Sequence, residues 1–274
     1  MHATNKRHAI EAAEIQRLYQ AEGWAMARLA AHYGCGGSTI RRRPRELGST
    51  ARRRGPHVDR TRVIDWSPEV AYAVGIIATD GNLAQDGRHL SVTSKAIQLL
   101  ETVRACLKLN VSITPASVAK SIFHLQWSDR VRWEWLAAIG LMPAKSLRLR
   151  ALAVPDVYFA DCMRGCIDGD GTILSYTDRY LTAKSEKYVY QRLFVSIVSA
   201  SAAFLGWMQA RAATVIGVRG ALYCSRPASE HAALWQLKYA KRESMRLLHA
   251  LYYQPNVPCL RRKQLIALPF LPAD

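Results

Sequence analysis

The sequence predicts an α+β chain of two pseudo-symmetric halves behind a small all-α unit. Three observations carry that reading. A ten-residue pattern recurs without a gap 90 residues apart, Tyr72–Gly81 over Cys162–Gly171. Behind each copy, segments alternating at period two exchange with segments of helical period. Ahead of the first copy lies a stretch with helical periodicity alone and far denser positive charge. With 274 residues, half of them apolar, the chain can bury real cores and is not disordered throughout.

The all-α unit is placed at residues 1–48. Ile10 to Gln20 sets Ile10, Ala13, Ile15, Leu18 and Tyr19 on one helical stripe, closed by Gly23. Ala25 to Tyr33 reads as a second helix with Met26, Leu29 and Ala30 inward, stopped by Gly34. A third begins near Ser38 and runs through Ile40 into Arg41, Arg42 and Arg43. Pro44 is expected to shorten or kink it, because a proline removes one helical hydrogen bond and crowds the preceding turn. The phrase Ala27–Gly34 followed by Ser38-Thr39-Ile40 resembles a resolvase-type helix-turn-helix. That resemblance implies a third helix in the major groove, with Arg41, Arg42, Arg43 and Arg45 among the DNA contacts. Residues 49–65 are polar and basic and hold Gly55-Pro56, so they read as a linker whose Arg52, Arg53 and Arg54 can lie along phosphates.

Charge narrows the partner. Residues 1–62 hold thirteen Lys and Arg against five acids, +8 of a net +17. A chain this basic points to a polyanion. No apolar run approaches the ~18 residues of a spanning helix, so no membrane partner is expected, and the first residues lack the apolar block of a signal peptide. The six cysteines, at 35, 106, 162, 166, 224 and 259, form no C-x-x-C pair and no zinc spacing. A disulfide framework and a structural zinc are set aside, and a reducing, cytoplasmic setting on nucleoid, phage or mobile-element DNA is expected.

In the repeat, apolar side chains recur at 72, 73, 76 and 77 and again at 162, 163, 166 and 167, one face of a helix in each copy. Small residues stand four apart, Ala71, Gly75 and Thr79 in one copy and Gly165 and Gly169 in the other, which lets two helix backbones approach closely. Ser67-Pro68-Glu69 and Pro155-Asp156 are start signals. Gly81 and Gly171 are expected to end the helices as left-handed caps. Asp80 and Asp170 then fall at helix C-termini, where the macrodipole disfavours an anion by several tenths of a kcal/mol. If the helices pair through their small faces, the two carboxylates also meet and raise each other's pKa. A divalent cation with hard oxygen ligands resolves both penalties, and magnesium suits it. An EF-hand reading of Asp168–Gly171 fails, because its sixth loop position is Ile173 and its twelfth Arg179.

These segments, AVGIIATDG at Ala73–Gly81 and MRGCIDGDG at Met163–Gly171, resemble the signature of the LAGLIDADG homing endonucleases in their single-chain, two-repeat form. The first copy has Ala78 where an acid is common. The resemblance covers residues 66–274, divided as repeat 1 at 66–153 and repeat 2 at 154–274, and implies an αββαββα plan in each. The downstream segments fit it. Asn82–Ala84 and His89–Thr93 read as strands around a turn at Asp86-Gly87, and Ser94 as the cap of a helix over Ala96–Leu107. Ser121–Trp127 reads as a strand and Val131–Ile139 as a helix. In repeat 2, Thr172–Thr177 and Tyr188–Ser199 read as strands, Ala202–Ile216 as a helix, Leu234–Tyr239 as a strand and Ser244–Tyr253 as a helix. The hairpin between its first two strands is longer and basic, with Lys184 and Lys187 able to reach along a DNA groove.

The family likeness implies a site-specific DNA endonuclease making Mg²⁺-dependent double-strand breaks by phosphodiester hydrolysis at a long pseudo-palindromic site. Mn²⁺ is expected to substitute, and the chain to act as a monomer on double-stranded DNA. It implies metal binding by Asp80 and Asp170 and by the main-chain carbonyls of Thr79 and Gly169. It also implies a catalytic lysine in each of Pro143-Ala144-Lys145-Ser146 and Leu260-Arg261-Arg262-Lys263, with Arg261 or Arg262 able to fill the role of Lys263 and otherwise contacting DNA. Two other readings use the same scaffold: a non-cleaving DNA-binding transcription regulator, and a maturase binding structured intron RNA. The paired acids speak against the first and a DNA-type helix-turn-helix against the second.

Overall fold

The computed structural model describes residues 12–46, 61–117, 121–179, 189–229 and 232–272. The chain divides into two compact units, Met1–Val58 and Asp59–Asp274.

In the first unit, α1 (Ala12–Gln20), α2 (Met26–His32) and α3 (Gly37–Glu46) enclose a small core of Ile15, Leu18, Tyr19, Leu29 and Ile40. Gly23 and Gly34 take positive φ, +73° and +59°, at the two turns where a side chain would be strained. Ala13, expected on the inward stripe, is exposed. Pro44 does not stop α3, which continues to Glu46. A proline two residues from a helix end leaves little helix beyond it to be lost. Arg42 is exposed on α3. The side chains of Arg41, Arg43 and Arg45 lie outside the described residues, as do Arg52, Arg53, Arg54, Lys184 and Lys187.

The second unit carries the same order of elements twice. Repeat 1 runs α4 (Pro68–Thr79), β1 (Gly81–Leu83), β2 (His89–Ser94), α5 (Ile97–Cys106), β3 (Ile113–Ser117), β4 (Ile122–Ser128) and α6 (Arg130–Ala138). Repeat 2 runs α7 (Phe159–Asp170), β5 (Gly171–Asp178), β6 (Tyr190–Ser199), α8 (Ala202–Val215), β7 (Ala221–Arg226), β8 (Leu234–Tyr239) and α9 (Lys241–Leu251), followed by a further helix, α10 (Arg261–Ala267). Each repeat thus forms one four-stranded antiparallel sheet, ordered β1-β2-β4-β3 and β5-β6-β8-β7. The registers match: Gly81 pairs with Val92 as Gly171 pairs with Ile197. One face of each sheet packs on the helices and the other is open, as the in–out alternation of β1 and β5 requires.

Helix starts follow local chemistry. Ser67 Oγ accepts from Val70 N with Pro68 in the first turn of α4, and Asp129 and Ser201 cap α6 and α8 in the same way. Ser94 departs from expectation: it ends β2, and Ala96 is the unassisted N-cap of α5, although Ser94 Oγ accepts from Ala96 N at 3.1 Å. Arg62, placed in the linker by sequence, forms an ion pair with Asp129 at 2.6 Å. β3, β7 and α10 are elements that sequence periodicity did not reveal.

Candidate functional site

The site is built by the seam between α4 and α7. At Gly75 a Cβ would fall on the carbonyl oxygen of Cys162 and 2.8 Å from Cys166 N. At Gly165 it would fall on the Tyr72 carbonyl oxygen and 3.1 Å from Gly75 Cα. The two helices therefore meet backbone to backbone, as the four-residue spacing of small residues predicts. At the far end, a Cβ on Gly169 would strike Thr79 Oγ1 and stand 3.3 Å from Asp80 Oδ2. Gly81 and Gly171 correct one expectation. Neither has positive φ; Gly171 sits at φ −90°. They are glycines because the strand leaves the helix so abruptly that a Cβ would lie 2.6 Å from the Cα of Ile77 or Ile167.

This packing brings the acids together. Asp80 is the C-cap of α4 and Asp170 the last residue of α7. Burial, then the charge of Asp170, pushes the Asp80 carboxyl up to about 6, against the pull of Lys263 and Lys145. Burial also raises Asp170, and the same two lysines draw it back. The repulsion expected from sequence is thus present at Asp80, tempered by two cations, while at Asp170 burial alone raises the carboxyl.

Both predicted lysines are buried there. Lys145 lies in a 3-10 turn at Lys145–Leu147, entered through Ala144 at φ +51°, and its ammonium donates to the carbonyls of Thr79, at 3.3 Å, and Gly81. Lys263 is in the first turn of α10 and donates to the carbonyls of Ile167, Asp168 and Gly171, the last two at 2.8 and 2.7 Å. Each lysine therefore satisfies orphan carbonyls at the C-terminus of one signature helix, where the dipole favours a cation. Burial lowers both, Lys263 to about 8. Of the arginines that sequence left as alternatives, Arg261 turns to Gln264, while Arg262 joins Lys263 on a cleft wall.

Two clefts open on Asp170. One, of about 230 Å³, is lined by Thr79, Lys145 and Ser146; the other, of about 350 Å³, by Gly169, Thr172, Arg262 and Lys263. Among the described residues no group of three or more His, Cys, Asp or Glu could hold a metal. The donor set is two carboxylates and main-chain oxygens. That set fits magnesium, which binds through one or two carboxylates and completes its shell with water and phosphate oxygens, and it suits neither zinc nor copper.

Sequence reasoning missed the buried network behind this centre. Asp168, only 1% exposed, occupies the position of Ala78 in repeat 1. Its Oδ2 accepts from Tyr72 OH at 3.0 Å and from Leu260 N at 2.6 Å, joining α4 and the start of α10 to α7. Arg164, fully buried, donates to Asp161 and to the carbonyls of Leu251 and Pro258. The acid at the sixth signature position was the one available signal for this network.

No family model matches the chain, and no curated protein does. Among solved structures it is similar to the I-LtrWI LAGLIDADG homing endonuclease bound to target DNA, with 11% identity and a TM-score of 0.50 over 74% of this chain and 89% of that one. It is also similar to I-DmoI in complex with DNA and Ca, with 16% identity and a TM-score of 0.49 over 73% of this chain and 97% of that one. The first likeness establishes a shared fold, the doubled αββαββα architecture.

Proposed function

We propose that the chain is a site-specific DNA endonuclease that makes Mg²⁺-dependent double-strand breaks at a long pseudo-palindromic site, acting in homing. One observation carries the reading: two carboxylates, each at the tip of its own signature helix, near enough for their charges to interact, with two buried lysines that act on both. I-LtrWI, whose fold this chain shares, is named as a homing endonuclease bound to target DNA, which supports the same substrate here.

Asp80 and Asp170, with the carbonyls of Thr79 and Gly169, would hold the metal. Bound there, a divalent cation would supply polarisation of phosphate and a lowered pKa of water. The chain's own residues do the rest. The open sheet faces position the two strands. Lys145 and Lys263 keep positive charge beside the acids, where negative charge builds on the phosphate during hydrolysis. One acid per repeat matches one cut per strand. The basic first unit, read as a helix-turn-helix, adds affinity through phosphate contacts. Both repeats reside in one chain, so a monomer suffices.

The test is a selection from randomised duplex DNA in Ca²⁺, followed by cleavage of the enriched sequence in Mg²⁺ and in Mn²⁺. Double-strand cutting is expected, and Asp80→Asn is expected to abolish cleavage of one strand or both while binding persists. An Asp80→Asn protein that cuts like the wild type sinks the assignment.

A further inference from the structure

The two open sheet faces have equivalent frames and different chemistry. Matching registers make Thr93 equivalent to Val198, Ser91 to Ser196 and His89 to Phe194, and on the next strand make Gln126 equivalent to Lys238. In repeat 1 these positions carry hydroxyl, amide and imidazole groups. In repeat 2 Leu174 stands across from Phe194 on the open face, with Tyr176 one step outward. Among the described residues, every exposed large hydrophobic that lies in a strand belongs to the second sheet; Leu174 is 48% exposed and Tyr176 45%. Exposed apolar side chains gathered on one strand face mark a contact surface.

We infer that the second repeat reads its half of the DNA site chiefly through thymine 5-methyl groups, while the first reads its half through hydrogen bonds. This rests on the endonuclease reading above. In the major groove thymine alone presents a methyl group, which apolar side chains recognise, whereas amides and hydroxyls address base donors and acceptors. Base stacking is the other use of surface aromatics, and at Phe194 the geometry opposes it. The Lys238 ammonium stands 4.1 Å from the centre of the Phe194 ring, so that face is taken. The same lysine, at the position of Gln126, places positive charge beside the apolar patch, as a phosphate-lined groove requires.

The experiment uses the full-length protein and a duplex selected in Ca²⁺. Thymine is replaced by deoxyuridine in one half-site at a time, which deletes methyl groups and leaves every hydrogen-bonding edge intact. The half under repeat 2 is identified by repeating the selection with Leu174→Ser, an exposed position outside the acid and lysine cluster. Affinity is expected to fall about fourfold for each contacted methyl lost from that half, and by less than twofold for the other half. In Leu174→Ser the deoxyuridine effect should shrink. Equal sensitivity in both halves, no sensitivity in the second, or an unchanged effect in Leu174→Ser overturns the inference. A duplex that is selected and cut in Mg²⁺ but is indifferent to deoxyuridine overturns it alone. A library that never enriches overturns the endonuclease reading with it.

Discussion

Gly165→Ala measures what the backbone-to-backbone seam is worth. The added methyl meets the Tyr72 carbonyl oxygen and lies 3.1 Å from both Gly75 Cα and Ile76 N, against an ordinary carbon contact of about 3.5–4.0 Å. These neighbours are helix backbone and cannot swing aside, so α4 and α7 must separate. A gap of about 0.5–1 Å already forfeits a quarter to a half of the dispersion energy across a contact. That places the strain at the upper end of overpacking, about 3 kcal/mol. Alanine returns about 1 kcal/mol through helix propensity, leaving a loss of about 2 kcal/mol and a melting temperature lower by about 4–8 °C. Gly206→Ala is the control. It too is helical, in α8, but its methyl would meet only Leu222 Cδ2 at 3.9 Å. Propensity alone operates there, and melting should rise by about 2–4 °C. Calorimetry of the full chain reads both. If Gly165→Ala melts at or above Gly206→Ala, the seam is not closed as described.

Asp80→Asn should raise the melting temperature in EDTA, and the gain should depend on pH. The folded carboxyl titrates near 6, above its ordinary 3.8, so the folded state binds the proton more tightly than the unfolded chain. The wild-type disadvantage is absent below about 4 and fully developed above about 6. The gap between variant and wild type should therefore widen from pH 5 to 7.5, and a constant gap would remove the buried repulsion from the account. Lys263→Met should destabilise by about 2–4 kcal/mol in urea unfolding, because the carbonyls of Ile167, Asp168 and Gly171 lose their shared donor. A loss below about 0.5 kcal/mol would mean that water replaces the ammonium freely.

The doubled plan was legible because its strongest constraint is local. A glycine four residues from another small residue on an apolar helix states that a second backbone passes there, and two copies in register state which backbone. Edge strands were not legible in the same way. β3 contains Pro115 and a register shift, and β7 is largely exposed on both faces, so neither offers the alternation that reveals a half-buried strand. α10 lacks a capping side chain, and its first residues stood out only as the basic element that the family likeness implies, not as a helix. Gly81 and Gly171 were assigned the right residue type for the wrong reason. From sequence, a glycine after a helix suggests a left-handed cap, whereas here the crowding comes from the helix's own last turn. Asp168 was opaque because its meaning depends on Leu260, 92 positions away.

The same limit explains why the lysines and the acids must be considered together. Sequence places two anions at two negative helix ends, an arrangement that looks untenable without a metal. In the folded chain each ammonium stands on the carbonyls of one signature helix, yet the charge of each acts on both carboxylates. Two acids and two lysines make a cluster with no net formal charge. That balance lets the helix tips stay paired without a cation, and under the proposed function it would let a phosphodiester approach carboxylates that would otherwise repel it. Burial first, and then the charge of Asp170, keeps Asp80 above its ordinary range even so, and on the endonuclease reading a divalent cation would relieve the share that comes from Asp170.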